Sequence, residues 1–345
     1  MIPIQAQFGN TPAPRDRGLP SRLLRAFVPM CGTGRGGPSL AIVGASCDPD
    51  TAFTPATTAA LAAAACAQAG LDGGDAELIR LGENALYRLR RERAVVRIGR
   101  SVERWHVAAK EVAVSRWLAG VGFPVVRLLD GVAQPQAVEG HVVTYWELID
   151  RPRAAPAVDI ARVIRQLHSL PPPVDPLLPR FDPFDRVPER LERAALLSGD
   201  DRGFLREHLT RVRTQYQADT ADAPDSVIHG DAHGGNILHD PHGRLIVLDL
   251  ERFGLGPREW DLSLSATYHC RLGWWSVEKY ESFVSAYGSD VRDSPIFGTL
   301  CDTHELQMTT WLAQRYGESP AIATEVQERI ACLRDADRPR RWHAY

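Results

Sequence analysis

His229-Gly-Asp-Ala-His-Gly-Gly-Asn236, followed by Leu245-Ile-Val-Leu-Asp249-Leu-Glu251, is the stretch from which the fold can be read. It sets two carboxylates and a carboxamide on loops beside short apolar strands. Such hard oxygen donors suit Mg2+, which keeps several waters and is held by one or two carboxylates together with substrate phosphates. Soft ligands do not accompany them. The six cysteines are scattered with no C-x-x-C pair, which argues against a structural zinc site and a dense disulfide framework. His229, His233, His239 and His242 crowd the same stretch, but the last two sit in or beside the turn Asp240-Pro-His-Gly243, so a zinc cluster is not expected.

Asp231 precedes Asn236 by five residues, the spacing of a kinase catalytic loop, where the aspartate orients a nucleophilic hydroxyl and the asparagine binds metal. Asp249 follows at a strand end, where a second metal carboxylate belongs. Glu251 reads equally as a structural partner or a further ligand. This reading requires a nucleotide cradle upstream, and short alternating apolar runs at Glu77–Leu81, Leu86–Leu89 and Ala94–Ile98 predict an antiparallel meander there. Gly82, Glu83 and Asn84 form the turn that covers phosphates. Arg97 is an inward-facing cation on the next strand, with Glu111 on the following helix as its partner. Further strands are expected at Val125–Leu129 and His141–Trp146, and Trp146, Glu147 and Ile149 lie at the natural hinge for adenine.

These motifs resemble the aminoglycoside phosphotransferase/choline kinase-like family, the small-molecule relatives of protein kinases, over residues 75–335. The resemblance implies an α+β, bilobal protein-kinase-like fold with a small antiparallel-sheet N-lobe and a larger, mainly helical C-lobe. It implies ATP and Mg2+ as cofactors, Asp231 as catalytic base and Asn236 and Asp249 as metal ligands. Arg97 becomes the phosphate-anchoring cation paired with Glu111, and Gly82 to Asn84 the nucleotide loop. Asp261, in Gly256-Pro-Arg-Glu-Trp-Asp261, is expected to tie down the catalytic loop. The sequence departs from the family in carrying Arg97 where lysine is usual, and in keeping one glycine in the phosphate loop.

With 345 residues, 44% of them hydrophobic, the chain can bury two lobes. The expected division is a flexible Pro/Gly/Arg-rich extension over 1–53, a nucleotide-binding N-lobe over 54–149 and a catalytic, substrate-binding C-lobe over 150–345. Thr54-Pro55 opens a helix that Gly70 stops. Helices then dominate from Val158 onward, interrupted by short strands at Val227–Ile228, Ile237–Leu238 and Leu245–Leu248, the first two read as partners. A net charge of −3 attracts neither nucleic acid nor an anionic membrane, and no run reaches the length of a membrane helix. The expected setting is the cytoplasm. The oligomeric state is left open.

The leading functional expectation is transfer of a phosphoryl group to a hydroxyl of a small molecule, an aminoglycoside-like antibiotic or a metabolite. Its rival is a nucleotide-binding pseudokinase or regulatory module, motivated by the arginine at position 97. Acidic residues prevail in the helical half, which favours a cationic acceptor, with Asp302 and Glu305 as candidate contacts.

Overall fold

The computed structural model describes residues 53–345. The extension expected over residues 1–53 lies outside them except for Phe53, which is buried and stacks on His141 with ring centroids 5.8 Å apart. Thr54 and Thr57 then form a capping box: Thr57 N–H donates to Thr54 Oγ1 (3.3 Å) and Thr54 N–H to Thr57 Oγ1 (2.9 Å). Helix α1 (Pro55–Ala69) follows and ends where Gly70 turns left-handed at φ 71°.

Strands β1 (Glu77–Leu81), β2 (Asn84–Leu89) and β3 (Ala94–Gly99) form the expected meander. With β4 (Gln136–Val138) and β5 (His141–Glu147) they make an antiparallel five-stranded sheet, in the order β1-β2-β3-β5-β4. The period of two sorts its side chains. Tyr87, Leu89, Val96 and Ile98 bury one face against Leu61, Ala62 and Ala65 of α1, each large side chain contributing about 1.5–3 kcal/mol. The opposite parity turns Arg97 toward α2 (Trp105–Gly120), which crosses the other face.

Val125–Leu129 is not the strand expected. The free edge of β5 is shared: Gln136–Val138 pairs with its first half. Residues 127–129 meet its second half only through Leu129 N–H to Tyr145 O (3.0 Å) and Glu147 N–H to Arg127 O (2.9 Å).

Beyond β6 (Arg153–Ala154) come α3 (Ala157–His168), α4 (Val187–Arg193) and α5 (Gly199–Asp219), and then β7 (Asp225–Ile228), β8 (Ile237–His239), β9 (Leu245–Val247) and β10 (Gly254–Pro257). Helices α6 (Glu259–Cys270), α7 (Val277–Tyr287), α8 (Phe297–Ala313) and α9 (Pro320–Arg334) complete the larger part. Apolar residues at helical spacing on α3, Ile160, Val163, Ile164 and Leu167, are buried in its core. Strands β7 and β8 do not pair with each other as expected. Strand β7 pairs with β10, Ile228 opposite Gly254, and β8 with β9, Ile237 opposite Val247. Gly254 also lets the segment before α4 lie against β10, because a Cβ there would come within 2.8 Å of Pro179 O. The loop 229–236 is thereby stretched between two separate strand pairs beneath the sheet of the smaller part.

Candidate active site

The segment 229–236 is fastened from below. Both carboxylate oxygens of Asp261 accept backbone N–H groups, from His229 (2.8 Å) and Gly230 (2.8 Å), and His168 Nε2 lies 3.2 Å from the same side chain. Trp260 Nε1 donates to Gly230 O at 3.0 Å. Gly230 itself has φ 81° and no room for a side chain: a Cβ would lie 2.6 Å from Arg252 O. His229 Nε2 donates to Leu248 O (2.8 Å), leaving Nδ1 to accept the Asp231 N–H at 3.2 Å. One neutral tautomer thus links the loop to the end of β9.

Asn236 Nδ2 donates to Asp231 O (2.9 Å) and faces Asp231 Oδ2 (3.3 Å), which turns its amide oxygen the other way. Leu248 N–H bonds Asn236 O at 2.8 Å, so Asp249 follows immediately beside Asn236. Asp249 holds φ 57° and ψ 68°, an uncommon backbone for a residue other than glycine, and its side chain is exposed. Asp231, Asn236 and Asp249 therefore gather at one end of the β8–β9 hairpin. Among the described residues, no three His, Cys, Asp or Glu side chains are grouped to hold a metal. Asp249 makes no ion pair among them either. An exposed carboxylate beside an outward amide oxygen fits Mg2+ that draws its other ligands from water and phosphate.

Opposite lies a cleft lined by Glu83, Asn84, Arg97, Arg104, Glu111, Val142, Thr144 and Glu251. Arg97 Nη1 donates to Glu111 Oε1 at 2.7 Å. With its amide oxygen turned inward, Asn84 accepts from Arg97 Nε (3.2 Å) and Nη2 (3.1 Å). Burial opposes the Arg97 charge, but Glu111, Glu251 and Asp249 outweigh it and hold the guanidinium above its ordinary pKa. Burial pushes Glu111 up to about 6 despite its partner.

Sequence reasoning missed what surrounds Glu251. It ion-pairs with Arg104 at 2.5 Å and with Arg186, and lies 3.8 Å from Arg97. Burial works against its charge, yet Arg186, Arg97 and Arg104 bring it down to about 2. Lys110 Nζ donates to the carbonyls of Glu251 (2.6 Å) and Phe253 (3.0 Å), joining α2 to the segment after β9. Lys110 is one of only two lysines, which sets it apart in the sequence; Arg104 and Arg186 are lost among the chain's many arginines.

The remaining expected residues are distributed as follows. Gly82, Glu83 and Asn84 form the β1–β2 turn, where Gly82 O accepts from Arg100 (2.9 Å) and Glu83 lies 3.5 Å from Arg186. Trp146 is buried in the core, its indole donating to Thr144 Oγ1 (2.9 Å). Glu147 is exposed and Ile149 packs against the core, both where the chain leaves the sheet. Glu305 is not an open acceptor contact. It is buried and bound by Arg340 (3.3 Å) and Arg271 (3.4 Å), so it anchors the C-terminal segment, and Asp302 also pairs with Arg271 (3.4 Å).

Residues 75–295, more than half of the chain, match the model of the phosphotransferase enzyme family designated APH. The chain belongs to this family. No curated protein matches it. Among solved structures it is similar to the aminoglycoside phosphotransferase APH(3'')-Id from Streptomyces rimosus in complex with ADP and streptomycin, at 23% identity and TM-score 0.53, over 72% of this chain and 97% of that one. Amicoumacin kinase hAmiN, in complex with AMP-PNP, Ca2+ and Ami, is similar at 13% identity and TM-score 0.57, over 78% and 91%. Spectinomycin phosphotransferase APH(9)-Ia, solved with ADP and spectinomycin, is 14% identical with TM-score 0.53, over 77% and 90%. The family member described here thus has the bilobal, protein-kinase-like fold of small-molecule phosphotransferases. No helix among its described residues is long and apolar enough to cross a membrane.

Proposed function

We propose that the protein transfers the γ-phosphoryl group of ATP, in the presence of Mg2+, to a hydroxyl of a small molecule. One observation carries the reading: Asp231, Asn236 and Asp249 gather at one hairpin end, opposite the cleft that holds the Arg97–Glu111 pair. The nucleotides bound to the similar structures support ATP as donor.

Asp231 accepts a hydrogen bond from the acceptor hydroxyl and takes its proton late, as the oxygen bonds to the γ-phosphorus and the bond to the β-phosphate oxygen breaks to release ADP. Asn236 fixes the Asp231 carboxylate through Nδ2. The Asn236 amide oxygen and Asp249 would hold Mg2+, which supplies charge neutralisation to the phosphate oxygens. Arg97 anchors phosphate oxygens from the other lobe, with Glu111 and Asn84 setting its plane. The turn Gly82–Asn84 covers the phosphates, and the chain at Trp146, Glu147 and Ile149 borders the adenine. Positioning and electrostatics do most of the work.

Turnover of MgATP is measured across aminoglycosides, macrolides, sugars, amino alcohols and hydroxy acids. Asp231→Asn should lower kcat by about 10²- to 10⁴-fold while nucleotide affinity stays within about twofold. Near-wild-type kcat in that variant would reject Asp231 as the base. Nucleotide binding without turnover of any acceptor would favour the regulatory reading.

A further inference from the structure

Resting on the phosphotransferase reading, we infer that the acceptor carries an anionic group, a carboxylate or a phosphate ester, received by Arg190 on α4 beside the catalytic loop. Arg186 and Arg190 lie one helical turn apart and so share a face. Arg186 reaches Glu251 and Glu83, which identifies that face as the one looking onto the site. Arg252 approaches from the segment after β9, with Nη1 on Asp185 Oδ1 at 3.0 Å. Three guanidinium groups therefore converge, and two of them are neutralised by carboxylates.

Arg190 is the exception. Among the described residues its side chain has no carboxylate partner, and its one side-chain hydrogen bond is a long contact from Nη1 to Gln307 O, at 3.5 Å. Burial, with Arg186 and Arg252 adding repulsion that the weaker attraction of Glu83 and Asp185 does not offset, lowers its pKa to about 10. A half-buried cation beside two others is costly to keep unless something anionic completes it. Its forked donors match the two oxygens of a carboxylate or phosphate.

Position separates this anion from the nucleotide. Arg190 lies outside the lining of the cleft that contains Arg97, Arg104 and Glu111. It packs instead toward α8, on the side where Phe181 and Arg252 lie against Gly230, next to Asp231. Three acids of the larger lobe that could have received a cation are already paired. Asp182 is bound to Arg213, Asp185 to Arg252, and Glu305 to Arg271 and Arg340.

The test fills the nucleotide cleft of the full chain with Mg2+ and AMP-PNP, then titrates inorganic phosphate, acetate and tetramethylammonium by calorimetry. Phosphate or acetate should bind, whichever is tighter identifying the acceptor's anion, and tetramethylammonium should not. Arg190→Gln should weaken the bound anion by about tenfold or more, and Arg190→Lys by less, with AMP-PNP affinity held within about twofold. Thermal unfolding of both variants separates a folding defect from a binding defect, and the wild-type selectivity stands without them. Binding of tetramethylammonium alone, of none of the three, or a loss confined to AMP-PNP in Arg190→Gln overturns the inference. Failure of the wild type to bind AMP-PNP would instead overturn the phosphotransferase reading beneath it.

Discussion

Arg97 presents a planar fork where lysine would present a point charge, and a fork works only if its plane is set. Glu111 sets one edge from α2 and Asn84 the other from the start of β2. Asn84→Ala should therefore raise the KM for ATP several-fold more than kcat falls. The same change in an Arg97→Lys background should cost little, since an ammonium has no second edge to align. A double-mutant cycle on kcat/KM is expected to return a coupling of about 1 kcal/mol, and additive effects would dismiss Asn84 as the aligning group. The Arg97–Glu111 pair was legible from position on a strand and the next helix. Asn84 was legible only as part of a turn, because its amide meets Arg97 across the β2–β3 pairing, where it stands opposite Gly99.

At the scale of elements, the loop proposed as catalytic owes its shape to the strands it joins. Pairing β7 with β10 and β8 with β9 leaves residues 229–236 to bridge two strand pairs, and Gly230 makes the sharp turn. Gly230→Ala puts a Cβ against Arg252 O and Phe181 Cε2, at 2.6 and 2.7 Å, in a backbone region that side chains resist. It should cost at least ~2 kcal/mol in unfolding free energy and displace Asp231 enough to depress kcat severely. Unchanged stability and activity would mean the loop can be built another way. The motif was plain in the sequence, but its strand partners were not. Runs of three or four apolar residues carry no address, and nothing in the sequence around Gly254 points to Ile228 as its partner.

Across the whole molecule, polar groups buried far from one another make stability depend on pH. Burial takes His304 down to about 3 and His208 down to about 4. His304 lies under Trp260, ring centroids 4.2 Å apart, with Nε2 on Ser263 Oγ at 2.8 Å. Both are neutral in the fold and take up protons near pH 6.5 when unfolded. Their stabilisation is complete above that value and is lost as pH falls toward the folded-state pKa, because the unfolded chain then binds more protons. The loss runs at up to about 1.4 kcal/mol per pH unit for each group. Urea unfolding at successive pH values from 7 to 4 should show the decline, and His304→Asn should flatten it. An identical slope in that variant would contradict the assignment.

The amino-acid order by itself determined the alternation that buries one face of the small sheet, the capped first helix, the amphipathic helices and the loop bearing Asp231 and Asn236. Each of these depends on neighbours close in the chain, through a period, a cap or a fixed spacing. Only the tertiary structure decided which short strands pair, that Glu305 is an anchor, and that Glu251 sits among Arg97, Arg104 and Arg186. It alone left Arg190 without a carboxylate among the described residues. Charge neutralisation is a sum over groups far apart in sequence, and in a chain with 40 basic and 43 acidic side chains no local pattern tells which pairs will meet.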